Sequence, residues 1–292
     1  MDAERDTLKP FSEAWFEQHI DNALAATPPD TRFSRSVYKL IKFAFDPQFF
    51  GLENLPDRGC LFIGNHSLFA LDGGLLGAVM LNEHGRWLRG LGDRFLWTTA
   101  KTEDFIIENG GVCGDPRVCD ALMENDADLM VFPGGAHEAA KSEDQKYQLQ
   151  WKERYGFVRM AAKHGYPIIP IALVGPDEFY RHLVEGKDLP DTAAWKALVR
   201  LGVIDKDMRP DLIPPIPLGM LGSPLPKPQR CYVKFGKPVL TSDYVGREMT
   251  ATELRKVREK VARQIEKMIR ELLLLREQQR SDDSLLRRIL TL

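Results

Sequence analysis

The sequence predicts an α/β fold: a largely parallel mixed sheet flanked by helices, with an N-terminal helical segment ahead of it. Short apolar runs at 60–64, 129–132 and 168–174 read as buried strands, and 231–235 reads as a more exposed one. Helical stretches separate them, at 75–82, 117–124, 151–163 and 252–280. Strands that alternate with helices in this way build a parallel sheet.

The helical segment takes residues 1–50 and the α/β domain takes 51–292. Phe11, Trp15, Phe16, His19, Ile20 and Leu24 recur at helical spacing, with Glu13, Glu17 and Asp21 opposite. From Val37 to Phe45, Leu40, Ile41 and Phe45 interleave with Lys39 and Lys42, and Arg32 and Arg35 precede them. A basic amphipathic helix of this kind fits a membrane interface; it fits equally an ordinary surface helix packed on a core. Residues 209–228 form a long Pro-rich connection, which its prolines bar from helix or central strand. Its Ile, Leu and Met side chains can face an apolar ligand or simply cover the core.

The 43% of hydrophobic residues is ample for a sizeable core in one large domain or two small ones. A formal net charge of -2 gives no general attraction to nucleic acid, so an anionic partner must meet a local basic patch. The first ten residues carry no apolar run, which argues against a signal peptide. No stretch nears the roughly 20 apolar residues that cross a bilayer. Cys60, Cys113, Cys119 and Cys231 form no C-x-x-C pair and no zinc spacing, as expected of free thiols in a reducing, cytoplasmic setting.

Chemistry concentrates in three segments. His66 follows the first buried strand, between Asn65 and Ser67, at the sheet edge where α/β folds place functional groups. Asp72 comes six residues later, about 240° away on a regular helix, so the two meet only across an irregular turn. If they meet, Asp72 fixes the imidazole tautomer and His66 becomes a general base; a satisfied structural histidine is an equal alternative. The second segment, Gly110–Arg117, has glycines at 110, 111 and 114 and a proline suited to a first helical turn. That leaves Arg117 near a positive helix end, to hold phosphate or a carbonyl oxygen, or as a solvated arginine. In the third, Phe132–Lys141, the Gly134 and Gly135 amides can face an oxyanion, His137 and Glu138 project from the turn, and Glu138 can bind acceptor hydroxyls or cap a helix. A fourth, Tyr166–Ala172, carries no chemistry and is expected to shape a pocket wall.

Taken in order, these segments resemble the glycerolipid acyltransferase superfamily, to which the lysophosphatidic acid acyltransferases belong. The matching residues are Asn65, His66 and Asp72; Gly111 and Arg117; Phe132–Gly135; and Pro167–Pro170, within about 50–240. Gly51–Pro56 and Phe235–Pro238 fit as well. The resemblance implies transfer of an acyl group from acyl-CoA or acyl-carrier protein to a glycerolipid hydroxyl. No metal or bound cofactor is implied, and the setting is cytoplasmic and peripheral to a membrane surface. In the family reading His66 and Asp72 are catalytic, while Asn65, Arg117, Gly134, Gly135, His137 and Glu138 meet substrate.

Two departures qualify it. The family usually places four residues between His and Asp, and here there are five, so the contact needs a one-residue bulge. Phe-Pro-Gly-Gly-Ala-His-Glu also replaces the phosphate-acceptor signature Phe-Pro-Glu-Gly-Thr and resembles the diacylglycerol and monoacylglycerol acyltransferase-like branch. Neutral acylglycerols are then the expected acceptors, with a lysophospholipid kept open by Arg117. The rivals are a hydrolase, with water as acceptor, and a non-catalytic lipid-binding protein with a misaligned His66–Asp72 pair; the absence of Gly-x-Ser-x-Gly argues against a serine esterase.

Overall fold

A computed structural model describes residues 8–97, 100–205 and 213–291. In chain order its main elements are α1 (Glu13–Ala25), α2 (Arg32–Phe45), β1 (Gln48–Phe50), β2 (Leu61–Gly64), α3 (Leu71–His84), β3 (Arg89–Gly92) and α4 (Ala100–Glu108). There follow β4 (Gly111–Cys113), α5 (Pro116–Glu124), β5 (Leu129–Val131), α6 (Gly135–Ala139), α7 (Gly156–His164) and β6 (Ile168–Val174). The last part holds β7 (Arg181–Val184), α8 (Ala193–Arg200), β8 (Ile216–Leu218), β9 (Tyr232–Phe235), α9 (Ala251–Gln278) and α10 (Leu285–Leu290).

Seven strands form one mixed sheet in the order β1-β9-β6-β2-β5-β3-β4. β6, β2, β5, β3 and β4 are parallel neighbours; β9 runs antiparallel to β6, and β1 pairs parallel with β9. The α/β expectation holds. Sheet pairing begins at Gln48, within the segment expected to be helical. β9 is buried rather than exposed, because β6 and β1 flank it and α9 lies across it. β7 and β8 form a separate two-stranded ribbon, consistent with prolines keeping 209–228 out of the main sheet; residues 209–212 lie outside the described ones.

Helices cover both faces, as a parallel sheet requires. On one face, Val118 and Leu122 of α5, Phe157 and Ala161 of α7, and Val257, Val261 and Ile265 of α9 join the sheet in one apolar cluster. Trp15, Phe16 and Ala23 of α1 belong to that core as well. On the other face, Leu75, Leu76 and Met80 of α3 pack on Phe62, Met130, Ile169 and Phe235. The N-terminal segment is therefore two different things. α1 is core, whereas α2 lies against α3 with no buried residue.

Asn65 extends the β2–β6 ladder past its last pair. Its Nδ2 donates to the Leu173 carbonyl and its Oδ1 accepts from the Leu173 amide, both at 2.9 Å. Replacing it by alanine strands two buried backbone groups, each costing about 1–3 kcal/mol. Asn65→Ala should lower the unfolding free energy by about 2–6 kcal/mol in chemical denaturation. An unchanged midpoint would show that the bidentate bond contributes nothing.

Candidate active site

The parallel strands end at one edge, and the loops leaving β2 and β5 meet there. Five residues separate His66 from Asp72, and the chain absorbs the extra one by turning left-handed at Phe69 (φ 61°) and Ala70 (φ 55°) before α3 begins. Non-glycine residues in that conformation cost roughly 1–2 kcal/mol each, so something must hold the loop. The Asp72 carboxylate does. Its Oδ2 accepts from Ser67 N–H at 2.6 Å and lies 3.0 Å from His66 Nδ1, while Oδ1 accepts from Gly73 N–H at 2.7 Å. Asp72 is only 1% exposed. Acting as acceptor, this carboxylate places the imidazole proton on Nδ1 and leaves the Nε2 lone pair free. The His66 ring also stacks on Phe132, with centroids 4.3 Å apart and planes 5° from parallel. A misaligned pair, which a non-catalytic reading needs, is not what this loop forms.

His66 lines a cavity of about 700 Å³ that runs beneath α3 along the sheet. Glycines make the space. Gly73, Gly74 and Gly77 of α3 face it, and a Cβ at Gly74 or Gly77 would meet nothing within 4 Å. Gly90 and Gly92 of β3 and Gly111 of β4 line it as well, with Leu88, Met130 and Phe132 among the apolar walls. Phe33 and Val37 of α2 stand at its border with solvent. Among the described residues, no Lys or Arg lines it.

The other expected contacts are distributed differently. Of the third block, Gly135 lines the cavity, but its amide donates to the Phe132 carbonyl at 2.9 Å and so closes the turn instead of facing an oxyanion. Gly134 is buried: a Cβ there would fall 1.9 Å from Glu138 Oε2. His137 is half-buried and is not a cavity wall. Glu138 cannot reach an acceptor hydroxyl, being 0% exposed; its Oε1 accepts from His66 N–H at 3.1 Å. Asn65 is spent on Leu173 and does not line this cavity. Arg117 does follow Pro116 at a helix start, yet it lies on Phe16 and is engaged by Asp115 (3.0 Å) and Glu13 (2.7 Å), away from the cavity walls. The Tyr166–Ala172 strand forms the buried middle of the sheet, not a wall. All four cysteines are buried and unpaired.

Sequence reasoning gave no role to Lys141. Its Nζ donates to the His66 carbonyl at 2.5 Å and to Asp177 Oδ1 at 2.7 Å. It lies just past the end of α6, three residues after Glu138.

Comparison with known proteins shows what the chain is similar to. Residues 46–174 match the family model described as Acyltransferase. Over that segment the chain resembles the family. Phytyl ester synthase 1, chloroplastic, of Arabidopsis thaliana is 29% identical over 205 residues, covering 65% of this chain and 29% of that protein. A DGAT1/2-independent enzyme synthesizing storage lipids from Gallus gallus is 29% identical over 149 residues, covering 48% of this chain and 45% of its own. The chain thus spans less than half the length of either relative. The solved 1-acyl-sn-glycerophosphate acyltransferase PlsC of Thermotoga maritima aligns over 87% of this chain and 88% of that one, at 20% identity and a TM-score of 0.46.

Burial pushes the Glu138 carboxyl up from 4.5 to about 7, against the pull of Lys141 and of His66, with Asp177 adding to the rise. Between those values the folded protein keeps a proton that the unfolded chain has lost. Stability therefore falls as pH rises through this window. Glu138→Gln should flatten that part of the stability–pH curve in denaturation experiments, whereas an equal slope in both proteins would mean that Glu138 is ionised when folded.

Proposed function

We propose that the protein is an O-acyltransferase that moves a fatty acyl group from a thioester, acyl-CoA or acyl-carrier protein, onto the hydroxyl of a neutral lipid. The single observation that carries this is the His66 ring, oriented by Asp72 and opening into an apolar cavity. His66 Nε2 takes the alcohol proton as the oxygen attacks the thioester carbonyl. A C–O bond forms, the tetrahedral intermediate collapses, the C–S bond breaks, and the proton passes from the imidazolium to the departing thiolate. Asp72 stabilises that imidazolium. Walls without Lys or Arg favour acylglycerol or a long-chain alcohol over a phosphate-bearing acceptor. The names of the relatives, a phytyl ester synthase and a storage-lipid enzyme, point to the same acceptor class.

The lipid would enter from a membrane. No helix among the described residues is long and apolar enough to cross one. α2 instead leaves Phe33 65% and Phe43 83% exposed beside Arg32, Arg35, Lys39 and Lys42, and Phe33 also borders the cavity. An amphipathic helix with this composition lies in a lipid interface. The Phe33→Ser/Phe43→Ser pair should sharply reduce co-sedimentation with anionic vesicles; undiminished binding would assign the contact elsewhere.

Purified protein, acyl-CoA and a panel of monoacylglycerol, diacylglycerol, long-chain alcohol and lysophosphatidate, read by lipid mass spectrometry, test the activity. Acylated neutral lipid is expected. Thiol release without any acylated product would indicate a hydrolase. His66→Ala and Asp72→Asn should each lower turnover by about 100- to 10,000-fold, with folding of the histidine variant intact by circular dichroism. Normal turnover in His66→Ala excludes the mechanism.

A further inference from the structure

The His66 main chain is gripped on both sides. Its N–H is held at 3.1 Å by Glu138 Oε1, and its carbonyl at 2.5 Å by Lys141 Nζ. Both side chains come from α6 and the residues just after it, so one short element holds two atoms of the same peptide segment. Lys141 is itself fixed by Asp177, whose other oxygen accepts from Tyr147 N–H at 2.6 Å. We infer that Glu138 and Lys141 are positioning residues for the acyl-transfer reaction: they set the placement of the His66 ring over the cavity without touching substrate. The inference rests on His66 being the base.

Three features argue that this grip is more than packing. The loop it restrains passes through two left-handed residues, Phe69 and Ala70, and would relax if either anchor were lost. Glu138 Oε2 is buried with no partner, an arrangement that costs stability and that an apolar side chain would avoid. Gly134 is what admits the carboxylate, since a Cβ there would lie 2.2 Å from Glu138 Cβ. The first glycine of the third block thus serves the grip on the histidine.

Glu138→Ala, Glu138→Gln and Lys141→Met/Asp177→Asn, the last avoiding a buried unpaired charge, separate positioning from folding. Hydrogen exchange of the 64–71 peptide reports the grip, and kcat and KM report its use. Glu138→Ala should speed exchange at His66 and lower kcat by about 100-fold at unchanged KM. Glu138→Gln keeps the accepting oxygen and should restore most of both, while the lysine pair should behave like alanine at 138. Unchanged exchange in Glu138→Ala overturns the grip. Faster exchange with kcat retained, or a glutamine variant as slow as alanine, overturns the positioning role. A wild type without turnover sinks the reading of His66 as base alone, because exchange still judges the grip.

Discussion

One carboxylate organises the loop on which the site is built. Asp72 Oδ2 is shared by the His66 ring and the Ser67 amide, and Oδ1 takes the Gly73 amide. Its negative charge is buried, which is tolerable only because three donors face it. Those donors in turn fix three things at once: the imidazole tautomer, the tight turn after β2, and the first turn of α3. Removing the charge would release the left-handed residues between them, so the orientation of the ring and the shape of the loop are one property.

The cavity is the counterpart of that loop, made by what side chains leave out. Glycines on α3, β3 and β4 let helix and sheet stand close while keeping a trough between them. A trough of apolar walls accepts a long lipid chain by burial alone, at roughly 25 cal/mol per Å² of apolar surface. On the proposed reading the polar end of the substrate is then left at His66. α2 stands beside the opening with Phe33 and Phe43 turned outward, which on the proposed reading joins the buried trough to a lipid surface.

Much of the frame was legible in the sequence, for physical reasons. β2, β5 and β6 are unbroken apolar runs because both faces of a parallel sheet are covered, and His66 could be placed at the end of one. The bulge between His66 and Asp72 was demanded by their spacing and is what the backbone does. β3, with the sequence Arg-Gly-Leu-Gly, was invisible because its glycines erase the apolar signature, and they do so because they floor the cavity. Arg117 and Glu138 were misread for another reason. A motif gives position along the chain but not direction in space, and both side chains turn away from the cavity toward nearer partners, Asp115 in one case and the His66 amide in the other. Lys141 was missed because a lysine reads as surface unless its buried carboxylate, here Asp177 far along the chain, is known.

The protonation pattern of the His66 ring tests the central claim most directly. Nitrogen chemical shifts of the imidazole, recorded by NMR, distinguish its two tautomers. An Asp72-held base carries its proton on Nδ1 and leaves Nε2 bare toward the cavity, and Asp72→Asn should disturb that preference. A proton residing on Nε2 in the wild-type protein would leave no lone pair to accept hydrogen from an alcohol, and would contradict the account.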